Sequence, residues 1–167
     1  MGLILASQSP RRRELLARLG LPFTVEAAGV DETMDPDRDP FDEVARLSQA
    51  KATAAGAGPD DTVIAADTVV VLDGTVLGKP KSPADAARML HALSGRPHQV
   101  MSGLTVRRGG QQWSLTAVTK VWFRPLSGAE IAAYVASGEP LDKAGAYGIQ
   151  GLAASFVERL DGDYYNV

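Results

Sequence analysis

Two turn dipeptides constrain the fold of this chain more than any other feature. Asp73-Gly74 interrupts an apolar, β-branched run at residues 68–77, and Gly109-Gly110 joins two longer runs at 99–107 and 112–123. Such dipeptides close antiparallel hairpins, so a purely parallel sheet is excluded. The second long run alternates Trp113, Leu115, Ala117, Val121 and Phe123 with mostly polar neighbours, the pattern of a half-exposed antiparallel strand. Short apolar runs at residues 3–6 and 62–66, with a further stretch at 23–26, read as additional strands.

Helix signals lie between these runs. Ser9-Pro10 opens a helix with Leu15, Leu16 and Leu19 on one face and Gly20 as terminator. Asp39-Pro40 opens a second, with Phe41, Val44, Ala45 and Ser48 inward, after an acidic loop at 33–39. Ser82-Pro83 opens a third, and Ser127-Gly128-Ala129-Glu130 is a capping box opening a fourth that ends at Gly138. The expected fold class is therefore α/β, a mixed, partly antiparallel sheet flanked by helices.

Composition narrows the function classes. At 167 residues the chain forms one domain, or one domain with two lobes. A formal net charge of −3 provides no overall positive field for nucleic acid or anionic lipid. The absence of cysteine excludes disulfides, thiolate nucleophiles and cysteine-ligated metals. No apolar run approaches the ~18 residues needed to span a bilayer. The first residues are apolar before they are basic, the reverse of a secretory leader. The expectation is a cytoplasmic protein, with neither membrane nor nucleic acid among its partners.

Four segments could carry chemistry. Ser7-Gln8-Ser9-Pro10-Arg11-Arg12-Arg13 follows a strand and begins a helix, where unpaired amides and the positive dipole end attract anions. Arginines in a first turn oppose that dipole, so a plain capped helix leaves them unexplained, whereas phosphate binding by Ser7, Ser9, Arg11 and Arg12 explains them. Asp67 directly follows the 62–66 run, at a strand's carboxyl end where open sheets gather ligands. A carboxylate there either binds metal, orients water or lies in an ordinary turn; Glu32, in Val30-Asp31-Glu32, has the same alternatives. Lys79, in Gly78-Lys79-Pro80-Lys81, fails the Walker pattern because Gly74 and Gly78 are separated by three residues and Pro80 follows the lysine. Lys79 and Lys51 can still meet phosphate as point charges or be surface lysines. The fourth segment, 138–151, holds four glycines, suggesting backbone held close to something. Serine-hydrolase and zinc-protease signatures are missing.

Taken in order, Leu5-Ala6-Ser7-Gln8-Ser9-Pro10-Arg11-Arg12, Val30-Asp31-Glu32, Ala50-Lys51-Ala52, Ala65-Ala66-Asp67-Thr68, Leu77-Gly78-Lys79-Pro80, Leu93-Ser94-Gly95 and the 138–151 block resemble the Maf family of nucleotide pyrophosphatases. The resemblance implies two lobes with a central cleft, of the Maf and inosine-triphosphatase kind, over residues 1–167, and usually a homodimer. It further implies hydrolysis of a nucleoside triphosphate to the monophosphate and pyrophosphate with magnesium or manganese, and an association with septum formation and nucleotide-pool sanitation. By position, Asp67 matches the catalytic acid and Glu32 an acidic metal or water position. Arg12, Lys51 and Lys79 match phosphate contacts, and Ser7 and Ser9 the polar turn. Gln150 matches the glutamine of the subgroup acting on dTTP and UTP. Family members continue past the match at Tyr164-Tyr165-Asn166-Val167 with a further turn and helix, so a closing segment beyond Val167 is expected. Competing readings are a nucleotide-sensing regulator of cell division, a cleaner of damaged purine nucleotides, and an RNA-binding domain using residues 11–13.

Overall fold

The computed structural model describes residues 1–26 and 29–167. Its strands are β1 (Leu3–Leu5), β2 (Thr24–Val25), β3 (Thr62–Leu72), β4 (Thr75–Leu77), β5 (Pro97–Arg108), β6 (Gln111–Phe123) and β7 (Val157–Asp161). The α-helices are α1 (Pro10–Ala17), α2 (Pro40–Ala54), α3 (Pro83–Leu93) and α4 (Gly128–Ala136). The strand order is β2-β1-β3-β5-β6-β7, with β4 paired to β3 outside that path. β1 pairs parallel with β2 and β3, while β3/β4 and β6/β7 are antiparallel. The mixed α/β fold expected from the turn dipeptides is therefore present. No helix among the described residues is long and apolar enough to cross a membrane.

The chain divides into two compact units, Met1–Asp67 with Ser102–Thr116, and Thr68–Met101 with Ala117–Val167. The first has a core of small side chains. Ala52 of α2 and Ala55 just after it pack with Ile4, Val63 and Ala65 of the parallel strands and with Ala6 just after β1. Small residues let helix and strand backbones approach closely, and the approach is tightest at Gly103 of β5. A Cβ built there would stand 2.3 Å from the Val44 carbonyl oxygen of α2. Further along α2, the buried Ser48 hydroxyl shares a hydrogen bond of 2.7 Å with Thr105, whose hydroxyl meets Ser114 at 2.9 Å. Polar groups buried in this way need partners, and these supply one another.

The second unit has a larger core, built from Met89, Leu90 and Leu93 of α3, Ile131 and Tyr134 of α4, and Val121 and Phe123 of β6. Phe123 makes edge-to-face contacts with His98, Tyr147 and Phe156, a favourable quadrupolar arrangement. Burial lowers the His98 imidazole to about 4, and its Nε2 pairs with the Tyr147 hydroxyl at 2.8 Å. The capping box expected at residues 127–130 is present, with Ser127 and Glu130 each satisfying the other's backbone N–H.

Several expectations need correction. β3 does not stop at residue 66; it runs unbroken from Thr62 to Leu72. Asp67 is thus inside a strand, because the β-branched run Thr68–Val71 continues the extended backbone and one aspartate does not interrupt it. Leu19 lies beyond the end of α1 and is 66% exposed, since the helix closes at Ala17 before a full apolar face can form. Phe41 is 43% exposed, and Leu47 occupies the inward position on α2 instead. On β6 the alternation has the right parity, but only Thr119, Val121 and Phe123 are covered; Trp113 and Leu115, near the hairpin, are each 56% exposed.

Candidate active site

The end of β1 delivers Ser7, and the chain turns at once into α1. Ser9 occupies the N-cap as expected, but its side chain makes no capping bond. Its N–H donates instead to Ser7 Oγ at 3.2 Å. The same oxygen accepts from Arg12 Nη1 at 3.3 Å, and that nitrogen donates to the Ala66 carbonyl at 2.7 Å. The guanidinium of α1 is thereby held on the residue preceding Asp67. Burial lowers the Arg12 pKa from its ordinary value, while the nearby carboxylate of Asp67, and more weakly that of Glu32, raises it.

Helix α2 supplies the second cation. Asp39 caps it by accepting from Phe41 N–H, and Asp42 and Glu43 complement the dipole of its first turn. In its last turn Lys51 is buried and projects its ammonium toward β3. Nζ donates to Asp67 Oδ1 at 2.5 Å and pairs with Glu32 Oε1 at 2.8 Å. Two carboxylates from separate segments therefore share one ammonium. The Asp67 side chain is only 13% exposed, whereas that of Glu32 is 59% exposed. Ser7, Arg12, Glu32, Lys51 and Asp67, five of the residues singled out in the sequence, form one cluster within the first unit. Its charges balance, two cations against two carboxylates. Arg11 lies near enough to Arg12 to lower its pKa, but among the described residues it pairs with neither carboxylate of the cluster.

Lys79 and Gln150 belong to the second unit. Lys79 is exposed in the loop after β4, and this loop is fastened to the glycine-rich segment by the Gly145 N–H donating to the Gly78 carbonyl at 3.1 Å. Gln150 is exposed on that segment, between buried Ile149 and buried Ala153.

Sequence reasoning missed the residues that hold the Glu32 segment. Glu43 of α2 is 1% exposed and pairs with Arg46 through both carboxylate oxygens at 2.8 Å. Its Oε2 also accepts from Asp35 N–H at 2.9 Å, while Arg46 Nη2 donates to the Thr33 carbonyl at 3.0 Å. The loop just after Glu32 is thus bolted to α2 at Glu43 and Arg46, in the same helix that carries Lys51. The only sequence signal was an acid–base pair three residues apart on a helix, a spacing common on solvated faces.

Hydrogen bonds from Arg46, then from the Asp35 N–H, hold the Glu43 carboxyl down to about 2 from its ordinary 4.5. A depressed acid stabilises the fold fully above its ordinary value, and this stabilisation is lost as pH falls toward the folded value. Urea unfolding across pH 4.5 to 2 should therefore show a steeper loss of stability in the wild type than in Glu43→Gln. Parallel curves would contradict the assignment.

Glu32 and Asp67 present hard carboxylate oxygens, the donor type that magnesium or manganese takes, and both meet at the Lys51 ammonium. No group of three or more His, Cys, Asp or Glu side chains that could hold a metal occurs among the described residues. Two protein carboxylates completed by substrate phosphates and water is the coordination magnesium commonly adopts, so the residues fit such an ion.

The mixed sheet thus carries, on β3, a cluster in which two cations meet two carboxylates. The chain belongs to the Maf family: the model for Maf-like protein matches residues 2–167. A dTTP/UTP pyrophosphatase of Moorella thermoacetica is 55% identical over 168 residues, covering 99% of this chain and 87% of its own length. One from Vibrio parahaemolyticus is 52% identical, covering 100% of this chain and 89% of its own. Among solved structures, a HAM1 protein from Coxiella burnetii is similar over 93% of this chain and 91% of its own, at 16% identity and a TM-score of 0.47.

Proposed function

We propose that this chain is a nucleoside triphosphate pyrophosphatase that converts dTTP and UTP to their monophosphates and pyrophosphate. The observation that carries this reading is Lys51 joining Glu32 and Asp67, with Arg12 fixed on the carbonyl before Asp67. The family relationship and the names of the relatives support the substrate class.

A triphosphate brings ~4 negative charges, which repel any incoming nucleophile unless they are offset. The cluster alone is neutral. Arg12 and Lys51 would bind phosphoryl oxygens, Glu32 with Asp67 would hold a magnesium or manganese ion, and Lys79 matches a phosphate-contacting position of the family. When bound, that ion supplies charge neutralisation and templating of the phosphates. Asp67 orients a water and takes its proton as the water oxygen attacks the α-phosphorus. The bond from the α-phosphorus to the α,β-bridging oxygen breaks, and pyrophosphate leaves with the electron pair. No covalent intermediate is needed. Lys51 keeps the Asp67 carboxylate aimed, because its ammonium is itself buried and held by two acceptors.

Base preference is assigned to Gln150. Uracil and thymine present acceptor, donor and acceptor along their pairing edge, and one amide can meet two adjacent groups of that set. A panel of dTTP, UTP, CTP, ATP and GTP with magnesium, monitored for pyrophosphate and monophosphate, tests the reading. The expected result is turnover of dTTP and UTP ahead of the purine nucleotides. Nucleotide binding without turnover would favour a sensing role instead, and equal turnover of ATP would remove the base assignment.

A further inference from the structure

The segment that carries Gln150 is held by side chains the reaction itself does not use. Residues 148–151 form a turn closed by the Gly151 N–H donating to the Gly148 carbonyl at 3.0 Å. Ile149 anchors the turn in the core, and Gln150 stands exposed at its third position. Each end of the turn is tied to one carboxylate. The Gly148 N–H donates to the Tyr134 hydroxyl at 3.2 Å, and that hydroxyl donates to Glu139 Oε1 at 2.9 Å. On the other side, the Leu152 N–H donates to Glu139 Oε2 at 3.1 Å.

The packing is as specific as the hydrogen bonding. A Cβ on Gly151 would lie 2.3 Å from Glu139 Oε1, and one on Gly148 would lie 2.7 Å from Cε of Lys143. Lys143 in turn donates to the Glu139 carbonyl at 2.6 Å and to Asp142 at 2.7 Å. The glycines at 148 and 151 are thus where the backbone presses against Glu139 and Lys143. Both Glu139 oxygens are committed to the turn and to Tyr134, so its charge is spent on holding rather than on contacting a ligand.

We infer that Glu139, acting through Tyr134 and the Leu152 amide, is a positioning residue that sets base selectivity by holding the turn that presents Gln150. The inference rests on the pyrophosphatase reading and on the role given to Gln150 there. Glutamine at 139 keeps the size but offers one acceptor oxygen in place of two, so one tie is lost. Phenylalanine at 134 removes the relay to Gly148.

The test pairs kinetics with amide exchange on the full chain. Glu139→Gln and Tyr134→Phe should each lower the dTTP-to-ATP ratio of kcat/KM about 10-fold, the scale of one lost charge-assisted hydrogen bond. The loss should appear mainly in KM for dTTP. In a Gln150→Ala background the same substitutions should produce no further drop in that ratio, since residues acting as one unit are not additive. Equal losses for every nucleotide, or additive losses with Gln150→Ala, would overturn the inference. Hydrogen exchange across residues 147–152 should quicken about 10-fold in both variants, whatever the turnover. Unchanged exchange would overturn it even if the wild type hydrolyses nothing, an outcome that by itself would sink only the pyrophosphatase reading.

Discussion

Asp67→Asn should lower kcat for dTTP by about 10²-fold or more, the range for loss of a general base, while KM stays within about threefold. The separation follows from the geometry. Asparagine retains the shape of the side chain and an oxygen that can still accept from Lys51, whose ammonium stands 2.5 Å from Asp67. Arg12 is held by the Ala66 carbonyl and Ser7, neither of which the substitution touches. Phosphate contacts should therefore survive. What disappears is the proton acceptor and one negative charge. Because Asp67 lies within a continuous strand, its side-chain direction is set by the β3 backbone and should not drift in the variant. Steady-state kinetics under saturating nucleotide check the expectation, and a kcat within threefold of wild type would remove Asp67 from the proton-transfer role.

The largest stability effect is expected at Gly103→Ala. The added methyl would fall 2.3 Å from the Val44 carbonyl oxygen and 2.9 Å from the Ala45 nitrogen. These are main-chain atoms in the middle of α2, so no rotamer change relieves the clash; the helix must lift from β5. Overpacking of this kind costs about 3 kcal/mol, which lowers Tm by roughly 6–12 °C in a chain of this size. Gly110→Ala is the matched control, since a Cβ there meets nothing within 4 Å. Its Tm should remain within about 2 °C of wild type. Scanning calorimetry on the two variants distinguishes them, and an equal Tm would contradict the close packing of α2 on β5.

The parts of the fold that were legible in the sequence are those governed by local chemistry. Asp73-Gly74 closes the β3/β4 hairpin, with Asp73 and Gly74 both at positive φ. Proline in the first turn and a preceding Ser or Asp mark the starts of all four helices except α4, where the capping box does so. What could not be read was set by tertiary contact. Nothing local distinguishes Gly103 from a loop glycine, because its constraint comes from a helix some sixty residues earlier in the chain. Glu43 looks like an ordinary first-turn acid until the fold lays the loop after Glu32 across it. The break expected at Asp67 failed because strand continuity was decided by the β-branched residues after it, not by the one charged side chain.

The candidate site divides along the same line. Residue types and order brought Ser7, Arg12, Glu32, Lys51 and Asp67 forward, and the structure gathers those five within one unit. The sequence did not reveal how they meet: Lys51 is the bridge between both acids, and Arg12 is fixed by a backbone carbonyl. Glu139 was passed over because it sits among glycines that read as loop. Its importance lies in two backbone N–H groups that it satisfies, one directly and one through Tyr134, and no side-chain pattern encodes such ties.

The most direct measurement is hydrolysis of dTTP in ¹⁸O-labelled water with magnesium, with the position of the label read by mass spectrometry. Attack of an Asp67-oriented water on the α-phosphorus places the label in thymidine monophosphate and none in pyrophosphate, from the first turnover onward. Label in pyrophosphate, or an unlabelled monophosphate in the first turnover, would contradict the account.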